Sequence, residues 1–253
     1  TPSPSAGETT SSSATETPSP TASSSEPRFK AAATSVSGSA RYGVTVSGDV
    51  YRVADDGGET YIGSFGVTTH SLAVTATGEV FAGSDTVASD GTAVLHHLGG
   101  EDIALSGMSA AAGGTILGAS ADPNGNIVLA TAANTALTGT QQFWRVDPSK
   151  TSVDFGGNPT VSATQSAAYP PNNVELVFSR TGAMAYTATA STYAGADKAN
   201  WLTAAQTVEG GVQVATQYTD LASVASGTVH LPGFALDSDG GWWASTNTST
   251  LAR

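Results

Sequence analysis

The feature that most constrains this chain is a phrase that returns four times: an apolar strand, a tight turn ending in glycine, and a second apolar strand. It runs from Ser71 to Phe81 around Gly78, from Ala119 to Leu129 around Gly125, from Leu176 to Tyr186 around Gly182, and from Phe234 to Trp243 around Gly240. In each copy the glycine falls where a two-strand turn needs positive φ, a conformation that a Cβ resists. Each copy therefore reads as a β-hairpin.

The four glycines are about 50 residues apart, near the roughly 40–50 residues of a four-stranded propeller blade. A second hairpin fits within each period. Asp49 to Val53 with Thr60 to Phe65, and Gln142 to Val146 with Thr151 to Phe155, both show an aromatic-Arg-Val strand, a polar turn and a strand ending in Phe. Helical flavour is confined to Ala110–Ala112 and Asn200–Gln206, and neither sustains an amphipathic stripe over three turns. The expected fold is all-β: a propeller of four to five blades over residues 28–253, in which stacked blades bury faces that no blade could bury alone. A β-sandwich also has many short strands, but it would not repeat one phrase at a near-constant pitch. Thr248 to Arg253 reads as the approach to a third strand of the last blade, so the ring is closed by the N-terminal segment or continues in blades outside this sequence.

Residues 1–27 are of another kind. Nine Ser, six Thr and five Pro leave no aromatic and no β-branched aliphatic residue, so this stretch cannot bury enough apolar surface to offset its ordering entropy. It is expected to be a disordered, extended tether. With a first residue that is Thr rather than Met, the chain reads as a processed form of an exported protein. The expected location is extracellular or in the cell envelope, with the tether holding the domain off a membrane or cell wall, as in a lipoprotein, through a segment not in this sequence.

Charge narrows the partners. Nine Lys and Arg against 21 Asp and Glu give a formal net charge of -12, and no basic run exists to neutralise a row of phosphates, which excludes nucleic acid as the expected partner. The absence of cysteine excludes disulfides, thiolate zinc sites and a cysteine nucleophile together. An extracellular protein, a glycan or a small ligand remains.

At the repeated hairpins the chain resembles bacterial propeller families of the streptogramin-lyase, gluconolactonase-like and NHL-repeat type. The resemblance rests on four short windows, best at His70-Ser71-Leu72-Ala73-Val74 with Gly78-Glu79-Val80-Phe81, and next at Phe234 to Trp243. It implies a propeller and, for lyase-type members, an acidic residue after the second strand that helps to build a central metal site. The matching positions here are Ser84, Thr131, Ala188 and Thr246, and hydroxyl or methyl groups are poor ligands for a divalent cation.

Candidate binding residues are His70, Glu175, His230 and Trp242. His70 and His230 precede inner strands, and Glu175 aligns with Ser71, so all three are expected near the mouth of a central channel. An imidazole beside a carboxylate suits acid-base chemistry. The plainer alternative is that each holds a loop at a blade edge. Trp144, Trp201, Trp242 and Trp243 are candidate stacking platforms for a sugar, with blade packing as the ordinary fate of such rings.

His96 and His97 are adjacent on a strand and so point to opposite faces, unable to share a metal. Asp122 to Asn126 and Asp237 to Gly240 begin like calcium loops, but the twelfth position counted from Asp122 is Ala133, so Asx-turn chemistry is the expected role. No catalytic residue, metal site or cofactor is assigned. The expected function is a non-enzymatic binding module, and the alternative is a metal-assisted lyase or lactonase-like hydrolase with its site in the central channel.

Overall fold

The computed structural model describes residues 29, 31–34, 40–69, 71–83, 92–108, 116–131, 140–164, 173–189, 199–218, 233–236, 242–245 and 251–252. The 1–27 tether, the 110–112 segment and the turn at Gly240 lie outside these residues.

The first sheet is formed in chain order by β1 (Ala31–Thr34), β2 (Arg41–Val44), β3 (Asp49–Val53) and β4 (Glu59–Ser64). The second contains β5 (Ala73–Val74), β6 (Val80–Gly83), β7 (Ala93–His97) and β8 (Ile103–Ser106). The third contains β9 (Ile116–Ala121), β10 (Ile127–Thr131) and β11 (Thr140–Val146). The chain then passes through β12 (Ser152–Asp154) before β13 (Val161–Thr164) adds to the third sheet.

The fourth sheet is β14 (Asn173–Phe178), β15 (Met184–Thr189), β16 (Ala199–Leu202) and β18 (Thr216–Tyr218). Between β16 and β18 lie the short helix α1 (Ala204–Glu209) and β17 (Gly211–Val214). β19 (Gly233–Leu236), β20 (Trp242–Ser245) and β21 (Leu251–Ala252) form a three-stranded sheet, so the C-terminal stretch does supply a third strand. Asn200 to Leu202, read as partly helical, is strand, and the helix begins one turn later. There Thr203 and Gln206 cap it reciprocally.

β1 lies against β5, β5 against β9, β9 against β14, and β14 against β19. Four sheets of four or five strands thus stand as propeller blades around a common axis, with the three-stranded sheet following. Side chains fill each gap. Val44, Val50, Leu72 and Val74 pack between the first and second sheets; Phe81, Leu95, Ile127, Leu129 and Trp144 between the second and third; Val128, Ala130, Phe143, Met184 and Tyr186 between the third and fourth. All five residues of β10 are buried, because Ile127 and Leu129 face one neighbour while Val128 and Ala130 face the other. A strand covered on both sides loses apolar-polar alternation and reads as a continuous apolar run.

The hairpins expected at Gly78, Gly125 and Gly182 are present, with these glycines at φ of 87°, 86° and 90°. The fourth is paired as expected, Leu236 opposite Trp242. A further copy escaped the sequence reading: Thr45 to Asp49 makes the same turn, with Gly48 at φ 87°. In all four described turns an opening Thr, Asp or Ser accepts, through its side-chain oxygen, the amide of the residue after the glycine.

One expected pairing is wrong. β3 and β4 do form a hairpin, but β11 does not pair with β12. Instead β11 takes β13, and β12 runs parallel to β8 on the outer edge of the second sheet, Ser152 opposite Ala104. Packing decides this: Val153 and Phe155 join the cluster between second and third sheets, and Phe155 sets its ring edge-on to Trp144 at 5.2 Å. The same move recurs one sheet later, where β17 adds parallel to β13, Ser162 opposite Val212.

Candidate functional site

In the second, third and fourth sheets the glycine turns share one end of the blades. The opposite end carries the starts of β5, β9 and β14. That is the end where the sequence placed its channel residues. His70 and His230 lie outside the described residues. Glu175 is the third residue of β14, opposite Thr187, and Trp242 opens β20, opposite Leu236; the side chains of both are outside the description.

What is described at this end is a set of buried hydroxyls bound to backbone. Thr69 donates its hydroxyl to the Ser71 carbonyl at 3.0 Å, and the Gly83 amide donates to Ser71 Oγ at 3.1 Å. Ser71, the position aligned with Glu175, is therefore committed to closing the end of β6. Thr131, one of the four positions where the resemblance implied an acidic ligand, accepts the Trp144 indole N–H at 2.9 Å and, through its carbonyl, the Gln141 amide. Trp144 is fully buried, so this ring belongs to the core and is not a sugar platform.

Gln141 was not singled out in the sequence. It is fully buried, and both amide protons have carbonyl partners, from Thr131 and Gln142. Those partners fix the amide orientation and leave Oε1 without a donor. Tyr186, on the facing sheet, likewise has an unbonded hydroxyl, and burial pushes its phenol well above the usual tyrosine range. Nothing in the local sequence marks either, because satisfaction of a polar group is decided by the neighbouring sheet.

At the other end, Asp122 is nearly buried and accepts the amides of Asn124 and Asn126, both at 2.9 Å, and the Asn126 side chain. Arg145 Nε lies 3.2 Å from its second oxygen, though misaligned for a hydrogen bond, while Nη2 donates to the Thr207 carbonyl at 2.8 Å. The carboxylate thus serves as the turn cap that the Asx reading expected, and in addition as an ion-pair partner of Arg145. Beside Arg145 a cavity of about 10 Å³ is lined by Val128, Phe143, Phe178, Met184 and Thr207, room for one water and too small for an organic ligand.

His96 and His97 do diverge. His96 Nδ1 is 2.9 Å from Asp102 Oδ2, whereas His97 stacks on Phe81 at 4.3 Å with Nε2 3.9 Å from Glu79. Among the described residues no three His, Asp or Glu side chains form a group able to hold a metal ion. The same residues include no helix long and apolar enough to cross a membrane.

Sheets set radially about an axis define a β-propeller. The chain is similar to hydrazine synthase from Kuenenia stuttgartiensis, with a TM-score of 0.52 at 14% identity over 92% of this chain and 60% of that one. A likeness at that identity supports the fold alone, and this chain spans about 60% of the length of the solved one. No protein-family model and no curated protein sequence matches the chain.

Proposed function

We propose that this propeller is a non-enzymatic binding module, exported or held at a cell surface, that meets its protein or glycan partner with the outer rim of its blades. One observation carries the reading. The large apolar side chains exposed among the described residues gather in two places: Val46, Tyr61, Ile62 and Val67 on the first sheet, and Val208, Val212 and Val214 beside the outer edge of the third. On the inner strands β5, β9 and β14, by contrast, Ala73, Val74, Ile116, Leu117, Ala121 and Leu176 are buried, with Ser120, Val177 and Phe178 partly so. Clustered apolar surface on a Ser/Thr-rich exterior marks contact sites better than scattered residues do. The Ser/Thr/Pro tether supports display at a surface, and the net charge of -12 supports a partner other than nucleic acid.

The test is elemental analysis of the gently purified full chain, alongside His70→Ala and His230→Ala. A binding module of this kind carries well below one divalent ion per chain in all three. One tightly held ion per chain, lost on His70→Ala, would overturn the reading in favour of a metal-assisted lyase or lactonase-like hydrolase working in the central channel.

A further inference from the structure

The geometry points to Asn124 as a site of spontaneous covalent modification, in which its side-chain amide is lost to attack by the Gly125 nitrogen and the turn joining β9 to β10 sets the rate. This goes beyond the binding reading and does not rest on it. The chain has one Asn-Gly pair, Asn124-Gly125. It stands at the tip of the third-sheet hairpin, where Asn124 is exposed and nothing lies within 4 Å of the place a Gly125 Cβ would occupy. A carboxamide followed by a backbone nitrogen that carries no side chain beside it is the arrangement that closure of a five-membered imide needs.

The sister turns make this particular to the third sheet. In the other three described turns the residue before the glycine is Ser47, Thr77 or Thr181, and its hydroxyl bonds to that of the residue opening the turn, at 2.8, 2.8 and 2.9 Å. A hydroxyl offers no carbonyl carbon to attack, whereas Asn124 does.

The step balances with water as the one added reactant. The Gly125 nitrogen gives up its proton and forms a bond to Asn124 Cγ; the bond from Cγ to the side-chain nitrogen breaks, and that nitrogen leaves with the proton as ammonia. Water then opens the imide at either carbonyl. One opening gives aspartate at 124. The other gives isoaspartate, whose main chain is one methylene longer.

In the closed turn the attack is blocked. The Gly125 amide donates to the Asp122 carbonyl at 3.0 Å, so the attacking nitrogen is engaged, and Asp122 Oδ1 accepts the amides on either side of it, Asn124 and Asn126, both at 2.9 Å. Asp122 is itself nearly buried and paired with Arg145, which reaches across to the Thr207 carbonyl of α1. The reaction therefore runs through a locally opened turn, at a rate that follows the population of that state. The product weakens what held it back: isoaspartate lengthens the turn and sets a second carboxylate beside Asp122.

The full chain is incubated at mildly alkaline pH, native or unfolded in urea, and the peptide containing Asn124 is followed by mass spectrometry with fragmentation that separates aspartate from isoaspartate. Both products are expected at 124, forming about tenfold or more slower in the native chain than in urea. Asp122→Ala, which frees both flanking amides, should raise the native rate several-fold. Asp122→Ser, which keeps an acceptor of the kind that opens the sister turns, should raise it less. Asn124→Thr should abolish the product. Circular dichroism confirms that each variant is folded, and the Ser variant carries the comparison if the Ala variant is not. The isoaspartyl form, separated by its added charge, should unfold at lower urea than the unreacted chain. The inference fails if Asn124 keeps its amide in both states, if aspartate is the sole product and direct hydrolysis is thus the route, or if native and unfolded chains react at equal rates. It also fails if the folded Asp122 variants react no faster than the parent chain, or if the isoaspartyl form is as stable as that chain.

Discussion

At Gly125 the backbone holds φ at 86° with nothing within 4 Å of where a Cβ would sit, so Gly125→Ala tests the left-handed conformation alone. A loss of about 1 kcal/mol is expected by chemical denaturation. Gly48 has nearly the same φ, but an added Cβ would collide with the Val67 carbonyl. Gly48→Ala should therefore cost clearly more than Gly125→Ala, and equal losses would show that the Val67 segment yields freely. Tyr186 gives a pH-dependent counterpart. Its hydroxyl is buried without a partner, and its phenol is held neutral beyond the ordinary range near 10. Above that pH the unfolded chain loses the proton while the folded chain keeps it, so stability should fall as pH rises through 10 and beyond. Tyr186→Phe should leave stability at pH 7 unchanged or raised, since an unsatisfied group is removed, and should flatten the alkaline limb of a denaturation series. A steeper limb in the variant would contradict the assignment.

The elements show where reading a sequence stops. Hairpins closed by Gly78, Gly125 and Gly182 were legible because turn chemistry is local: a hydroxyl or carboxylate opens the turn and a glycine closes it. The copy at Gly48 carries the same signal and was missed because it lies only a short way before Gly78, outside the pitch that the other copies suggested. β12 was legible as a strand but not in its partner. Ser152 to Phe155 offers the same alternating pattern whether it folds back on β11 or crosses to β8, and only the pocket for Phe155 against Trp144 decides. That makes Phe155→Ala informative. It should cost about 2 kcal/mol, below the figure for a fully buried ring because Phe155 is only partly covered. Amide exchange should quicken at Ala104, whose amide bonds to the Thr151 carbonyl, and across β8. Exchange confined to β11 would mean that the hairpin expected from sequence had formed after all. The candidate site was less legible than the fold: Ser71 and Thr131 stood at the expected positions, but their engagement with Gly83 and Trp144 depends on neighbouring strands.

For the whole molecule, the two parallel strands act as straps with unequal reach. β12 leaves the third sheet to pair with the second, and β17 leaves the fourth to pair with the third, so these three blades share main-chain hydrogen bonds as well as apolar contacts. Among the described residues the first sheet has no such strap. The β7 to β8 connection is a short turn, and it reaches the first sheet through Leu98, which packs against Gly63, with no strand added. Among the described residues, that blade is held to its neighbour by side-chain packing, through Val44, Val50, Leu72 and Val74. Blades joined only by packing can part without breaking backbone ladders, and sub-global opening follows the weakest such boundary. Native-state hydrogen exchange should show the amides of β2 and β3 opening at lower free energy than those of β9 and β10, although β2 and β3, like β10, are flanked by paired strands on both sides. Uniform protection across the first and third sheets would mean that the straps add nothing to the packing of the blades, and that propeller closure alone sets the stability of each.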